Sequence, residues 1–275
     1  MESDIESLTA TAEQVAVEAA DLVRDAYESM LAGTSVDVDT KSSETDVVTA
    51  VDTASERLVR ERLAVLRPHD TVLGEEEGTH TAEHSPEGTG VTWVVDPIDG
   101  TVNFLYGLPW FAVSVAAQID GMSVAGAVVE PASGRRWTAT RGRGAWLDGR
   151  PLRVSAPDDL GVSLLATGFA YTSERRARQA RLVAAVLNKV RDIRRQGSAA
   201  LDLCAVAAGW IDAYVEHGLQ RWDWAAGALI AEEAGAVVTL PGEDPELGAD
   251  AILAVAPSIA EPLRATLLEC DISDV

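Results

Sequence analysis

The fold is read from Trp93-Val-Val-Asp96-Pro97-Ile98-Asp99-Gly100-Thr101-Val102-Asn103-Phe104. Residues 91–95, Val-Thr-Trp-Val-Val, are β-branched and apolar in the manner of a buried strand. That strand is expected to stop at Asp96-Pro97, because Pro97 has no backbone donor and biases Asp96 away from the helical region. Asp96 and Asp99 then open from a buried strand end with Gly100 and Thr101 beside them. Aiming two carboxylates at one spot is costly unless cations sit there.

Upstream, residues 7–31 carry apolar side chains at three- and four-residue intervals and predict an amphipathic helix that ends near Gly33. Residues 53–66 repeat the pattern, and Pro68 closes that second helix. A short β-prone run at 71–73 ends in Gly74-Glu75-Glu76, a second source of carboxylates, and 78–90 read as a polar loop. Downstream, residues 111–118, 126–129, 136–140 and 145–147 are β-prone runs parted by turn residues, the pattern of an antiparallel meander. Beyond Pro151, strands at 163–166 and 192–195 alternate with helices at 174–190, 199–208 and 224–234. Trp222-Asp223, just ahead of the last helix, is the third carboxylate source. The expectation is a layered α/β (α+β) protein, with an N-terminal half of residues 1–150 and a C-terminal half of 151–275 whose α/β layer packs on the first half's sheet.

Composition narrows the function. Of 275 residues, 22 are Lys or Arg and 44 are Asp or Glu, a net charge of −22, and a field of that sign repels nucleic acid and anionic membrane surfaces. An acidic protein that handles an anion needs a local reversal of the field, and bound divalent cations provide one. Hard oxygen ligands at strand and helix ends suit Mg²⁺, which keeps several waters and completes its shell with phosphate oxygens. Cys204 and Cys270 read as buried or incidental thiols. No basic leader opens the sequence, and no apolar run approaches the ~18 residues of a membrane span, so a soluble cytoplasmic protein is expected.

Taken singly, each acidic element has a plain structural reading: Asp-Pro starts turns, Glu-Glu pairs sit on surfaces, and Asp223 would cap its helix. Their order is more specific. Gly74-Glu-Glu, then Asp96-Pro-Ile-Asp-Gly-Thr-Val-Asn-Phe104, then Trp222-Asp-Trp-Ala-Ala-Gly227 resembles the signature of the inositol monophosphatase family of Mg²⁺-dependent, lithium-sensitive phosphatases. The likeness extends to 41–52, 106–114, 197–204 and 232–235, and so covers nearly the whole chain.

The resemblance implies an αβαβα five-layer sandwich, a homodimer and two to three Mg²⁺ per active site. It implies that Glu75, Asp96 and the Ile98 carbonyl hold one ion and that Asp96, Asp99 and Asp223 hold a second. A weaker third ion would be reached from Glu75 through water, near Glu76. Thr101, assisted by Asp52, would activate the attacking water, and the amides of Gly100 and Thr101 would receive a phosphate oxygen. Glu216 and the backbone of Gly197-Ser198-Ala199 would line the alcohol side, with Asp99 and Asp223 also facing substrate. A small phosphorylated polyol is then the substrate, with myo-inositol 1-phosphate first. Histidinol phosphate, fructose 1,6-bisphosphate and 3′-phosphoadenosine 5′-phosphate are the alternatives within related branches.

Independent chemistry agrees. Phosphate-monoester hydrolysis needs stabilisation of spread negative charge and in-line positioning, with little covalent work from the protein. No His or Cys near the acidic motifs offers a nucleophile. A competing expectation is a regulatory binding protein of the transcription machinery, as some bacterial relatives associate with that apparatus. The charge argues against direct nucleic-acid contact, and the complete acidic set argues against a decayed enzyme. His80 and His84 stand four apart but in a loop-like segment, so a zinc site is not expected. The basic run 175–181 reads as a solvated helix face. Arg191, Arg194 and Arg195 suit either an anionic substrate or a dimer contact.

Overall fold

The computed structural model describes residues 2–40, 47–80 and 90–275. Helix α1 (Glu2–Leu31) is followed by strands β1 (Val38–Thr40) and β2 (Val47–Thr49), helix α2 (Ala50–Leu66), and strands β3 (Thr71–Gly74) and β4 (Gly78–His80). Strand β5 (Val91–Asp99) leads through the short helix α3 (Thr101–Leu105) into β6 (Ala112–Ile119), β7 (Met122–Val129), β8 (Arg136–Thr140), β9 (Gly144–Leu147) and β10 (Arg150–Pro151). The rest of the chain alternates β11 (Leu164–Thr167), α4 (Ser173–Val186), β12 (Asp192–Arg194), α5 (Ala199–Ala207), β13 (Ala213–His217) and α6 (Arg221–Glu233). It finishes with β14 (Val237–Thr239), β15 (Ala251–Val255) and α7 (Ala260–Glu269).

Beside the β1–β2 ribbon the described residues form two large sheets. An eight-stranded sheet runs β10-β9-β8-β7-β6-β5-β3-β4, and a five-stranded sheet runs β12-β11-β13-β15-β14. The expected meander is the antiparallel run from β5 to β10. Because alternate strand residues face opposite ways, Trp93 and Val95 join Leu8, Val15, Val23 and Leu63 of α1 and α2. Val94 faces the other side and joins Val128 and Trp137 against α5 and α6. Those helices also cover Tyr214, Ile252 and Ala254 of the second sheet. The far face of that sheet, with Leu165, Val215 and Leu253, packs on Leu182 of α4 and Leu263 of α7. The result is the expected αβαβα stack. Its middle layer can be thin because α5 (AALDLCAVA) is wholly buried and made largely of small residues. Cys204 lies in that layer, and both cysteines are buried and free.

Three expectations are corrected. β5 does not stop at Asp96 but runs to Asp99, and its register against β6 slips so that Asp96 opposes Ser114 while Asp99 opposes Ala112. The slip inserts one extra residue at the point where Pro97 has no N–H to offer, which is how a proline fits inside a paired strand. Helix α6 starts at Arg221, so Asp223 sits in its first turn rather than ahead of it. Part of the expected loop is strand β4, and His80 ends it; His84 and the rest of 81–89, like the matched segment 41–46, lie outside the described residues. No helix among the described residues is long and apolar enough to cross a membrane.

Candidate active site

The bulged end of β5 is the foundation of the site. Asp96 and Asp99 are buried, at 1% and 9% exposure. Asp96 Oδ1 accepts the Ile98 amide at 3.1 Å, and the Pro97 carbonyl accepts Ser55 Oγ of α2 at 3.1 Å. Gly100 turns the chain into α3 with φ 95° and ψ 37°, and a Cβ there would stand 3.1 Å from the carbonyl oxygens of both Gly197 and Trp110. Glycine alone meets both demands. Asn103 then ties the turn to the C-terminal half, its Nδ2 donating to the carbonyls of Trp110 at 2.6 Å and Gln196 at 2.7 Å.

That tie brings α5 to the strand end. Asp99 Oδ2 accepts Ser198 Oγ at 2.6 Å and the Ala200 amide at 2.7 Å, so its carboxylate sits on the first turn of α5, where helix amides favour negative charge. Thr101 Oγ1 lies 3.0 Å from Asp52 Oδ1 and 3.0 Å from the Ile98 carbonyl oxygen. The other oxygen of Asp52 accepts the Thr49 amide at 2.9 Å and the Thr49 hydroxyl, in the capping box that starts α2.

One cleft of 450 Å³ gathers Glu75, Asp99, Gly100 and Asp223 with Gly197, Ala199 and Glu216, as expected for those seven. Asp52, Asp96, Ile98, Thr101 and Ser198 do not line it; Ser198 bonds to its Asp99, while Asp52, Thr101, Ile98 and Asp96 are linked to one another at the bulged end of β5 that carries Asp99 and Gly100. Asp223 Oδ2 accepts the Gln220 amide at 2.6 Å, and Glu216 Oε2 accepts Tyr214 OH at 2.5 Å. Arg175 and Arg195 add positive charge to the wall. For Arg175 this corrects the reading of 175–181 as merely solvated, since it lines the cleft and donates to Asp250 at 2.6 Å.

Burial and mutual repulsion raise Asp52, Asp96, Asp99, Glu216 and Asp223 together. Burial, then Glu75, Asp99 and Asp223, hold the Asp96 carboxyl well above the usual range. Burial lifts Asp99 to about 6 against the pull of Ser198 and the α5 amides, and Glu216 to about 7. Asp52 and Asp223 are raised by burial as well. Such a set is unfavourable without a cation, and its hard oxygens suit Mg²⁺. Among the described residues no three His, Cys, Asp or Glu side chains converge tightly enough to enclose an ion as they stand. Protein donors engage Oδ1 of Asp96 and Oδ2 of Asp99 and Asp223, so one oxygen of each is turned towards the protein.

Sequence reasoning missed Ser55, Tyr214 and Asp202. Tyr214 is recognisable once strand β13 is drawn, because positions 214 and 216 share a strand face. Asp202 is buried on α5 and raised by burial and by Glu216 and Asp99; nothing in its local pattern signals this.

Comparison with known proteins follows the same lines. The model of the Inositol monophosphatase family matches residues 4–273. The inositol-1-monophosphatase of Mycobacterium leprae is 54% identical over 277 residues, covering 97% of this chain and 95% of the relative. The Nus factor SuhB of Escherichia coli is 44% identical over 197 residues, covering 70% and 72%. The solved structure of Mycobacterium tuberculosis SuhB superposes with a TM-score of 0.80 at 46% identity, covering 96% of this chain and 97% of that one. The chain belongs to the inositol monophosphatase family, a family of phosphoric monoester hydrolases.

Proposed function

We propose that this protein hydrolyses myo-inositol 1-phosphate to myo-inositol and phosphate with Mg²⁺, as a cytoplasmic, lithium-sensitive homodimer. The observation that supports it most is the single cleft holding Glu75, Asp99 and Asp223 with Glu216 on its wall. Glu75, Asp96 and the Ile98 carbonyl are the ligands assigned to one ion, Asp96, Asp99 and Asp223 to a second, and Glu75 to a weaker third. When bound, the ions neutralise phosphate charge and acidify water.

The chain's own residues do the rest. A hydroxyl has one proton, so the Thr101 proton goes either to Asp52 Oδ1 or to the Ile98 carbonyl, both 3.0 Å away. With Ile98 engaged as a ligand, Asp52 takes that hydrogen bond and Thr101 Oγ1 turns its lone pairs towards the attacking water. Asp52, raised by burial, is a competent acceptor when Thr101 draws a proton from that water. The amides of Gly100 and Thr101 hold a phosphate oxygen at the start of α3. Glu216, braced by Tyr214, accepts from polyol hydroxyls, with the Gly197-Ser198-Ala199 backbone beside it.

Phosphate release at saturating Mg²⁺ across inositol 1-phosphate, histidinol phosphate, fructose 1,6-bisphosphate, 3′-phosphoadenosine 5′-phosphate and 2-glycerophosphate tests the substrate. The highest kcat/KM should be for inositol 1-phosphate. Preference for another ester moves the substrate and keeps the chemistry. The name of the Escherichia coli relative favours a second reading, a transcription-associated binding protein. No release from any ester, with capture of a polymerase subunit, would place that reading first.

A further inference from the structure

The turn that presents Glu75 is held from beneath by a buried ion pair on α2. Glu56 is fully buried. Its Oε2 accepts the Glu76 amide at 2.8 Å and its Oε1 accepts the Glu77 amide at 3.0 Å. Arg60, one helical turn further along, donates from Nε to Glu56 Oε1 at 2.9 Å. It also donates from Nη2 to the Gly78 carbonyl at 2.6 Å, and its Nη1 lies 3.4 Å from the Val72 carbonyl. One guanidinium therefore grips both β3 and β4, and one carboxylate caps the turn between them. The fit leaves no room above: a Cβ on Gly74 would lie 2.3 to 2.6 Å from the Glu56 carboxyl atoms.

Stability alone explains this pair poorly. Desolvating two charges offsets most of their attraction, and apolar side chains of the same volume would hold a hairpin at least as firmly. What the pair supplies, and apolar packing does not, is a direction for the Glu76 and Glu77 amides, while the Glu75 amide donates to the Val95 carbonyl of β5 at 3.3 Å. Neither residue lines the cleft, so neither touches substrate.

We propose that Glu56 and Arg60 are positioning residues that fix the Glu75 turn and thereby set the divalent-cation affinity of the cleft. The inference rests on Glu75 being a cation ligand, as assigned above. Both Glu56 oxygens accept from backbone amides, so in Glu56→Gln one donor meets another whichever way the new amide is turned. Arg60→Lys keeps the charge and loses the fork that spans two carbonyls.

The test is Mn²⁺ titration of the full chain, with free Mn²⁺ followed by electron paramagnetic resonance, beside the Mg²⁺ dependence of phosphate release and the Tm in EDTA. Glu56→Gln should bind Mn²⁺ about tenfold more weakly and shift the Mg²⁺ midpoint by the same factor. At saturating Mg²⁺ its KM for inositol 1-phosphate should stay within about twofold of wild type, as for a residue acting on the ion and not the ester. Arg60→Lys should fall between the two, and it carries the test if Glu56→Gln does not fold. A folded variant with lowered Tm and unchanged Mn²⁺ affinity overturns the inference. Wild type that binds no Mn²⁺ overturns instead the ligand assignment beneath it.

Discussion

At the scale of single residues, Asp52, Asp96, Asp99, Glu216 and Asp223 each have a local donor that fixes the carboxylate's direction. Asp99 is the plainest case, with Ser198 Oγ and the Ala200 amide on one oxygen. Asp99→Asn removes a charge assigned to the second ion while keeping the shape. Steady-state kinetics should show kcat reduced by roughly 100-fold or more, with the metal-free Tm unchanged or higher. Near-normal turnover would contradict the two-ion assignment. Glu216→Ala should reorder preference among inositol, glycerol and sugar phosphates while the Mg²⁺ midpoint stays put; an unchanged order removes Glu216 from the pocket. Asp99 was legible because it sits in a short, distinctive run, whereas Glu216 came only from the family resemblance. Arg175 was not legible, because its partner Asp250 is distant in sequence and a helical pattern shows spacing, not neighbours. Asp202 was hidden for the same reason, since the acids that face it, Glu216 and Asp99, are distant in sequence, whereas Tyr214 needed only strand β13 to be drawn.

At the scale of elements, the bulge at Asp96–Asp99 and the left-handed Gly100 convert a buried strand into a turn bearing the two carboxylates assigned above as ligands, and then a helix start. Gly100→Ala would force a Cβ into that conformation and against two carbonyl oxygens. Denaturant unfolding should show a loss of about 1–3 kcal/mol, with the turn displaced and kcat lowered as well. Wild-type stability would mean the turn tolerates a side chain. Apolar periodicity revealed α1 and α2, and β-prone runs parted by turn residues revealed the meander, since those patterns are local. Pro97 misled because its lost donor argues for ending a strand, and only pairing with β6 reveals the extra residue that accommodates it. The start of α6 was displaced because Arg221-Trp222-Asp223 has no strong N-cap residue ahead of it; the cap is Gln220, with Asp223 reaching back.

At the scale of the molecule, five layers place the acids of two sheets around one cleft in a protein of net charge −22. Asp99 rises from the ordinary 3.8 to about 6 and Glu216 from 4.5 to about 7, so between those limits the folded state binds more protons than the unfolded one. Stability from these groups is complete below pH about 4 and lost as pH rises towards 7. Asp244 and Asp250, held low by Arg264 and Arg175, act in the opposite sense in more acid solution, and His217, lowered from 6.5 by burial, opposes Asp99 and Glu216 nearer neutrality. In EDTA the Tm should therefore fall by several degrees between pH 5 and pH 7.5, and Mg²⁺ should remove most of that fall. A metal-free Tm that rises over this range would mean that the acids are not strained as described.

The central claim is that the carboxylates of this cleft serve a divalent cation in hydrolysing a phosphate ester. Its most direct test is the rate of phosphate release from inositol 1-phosphate by wild type and Asp223→Asn, as Mg²⁺ is added to protein stripped with EDTA. The account predicts no turnover without Mg²⁺, saturable activation of wild type, and little or none in the variant. Equal rates in EDTA and Mg²⁺, or an active Asp223→Asn with an unshifted Mg²⁺ midpoint, would contradict it.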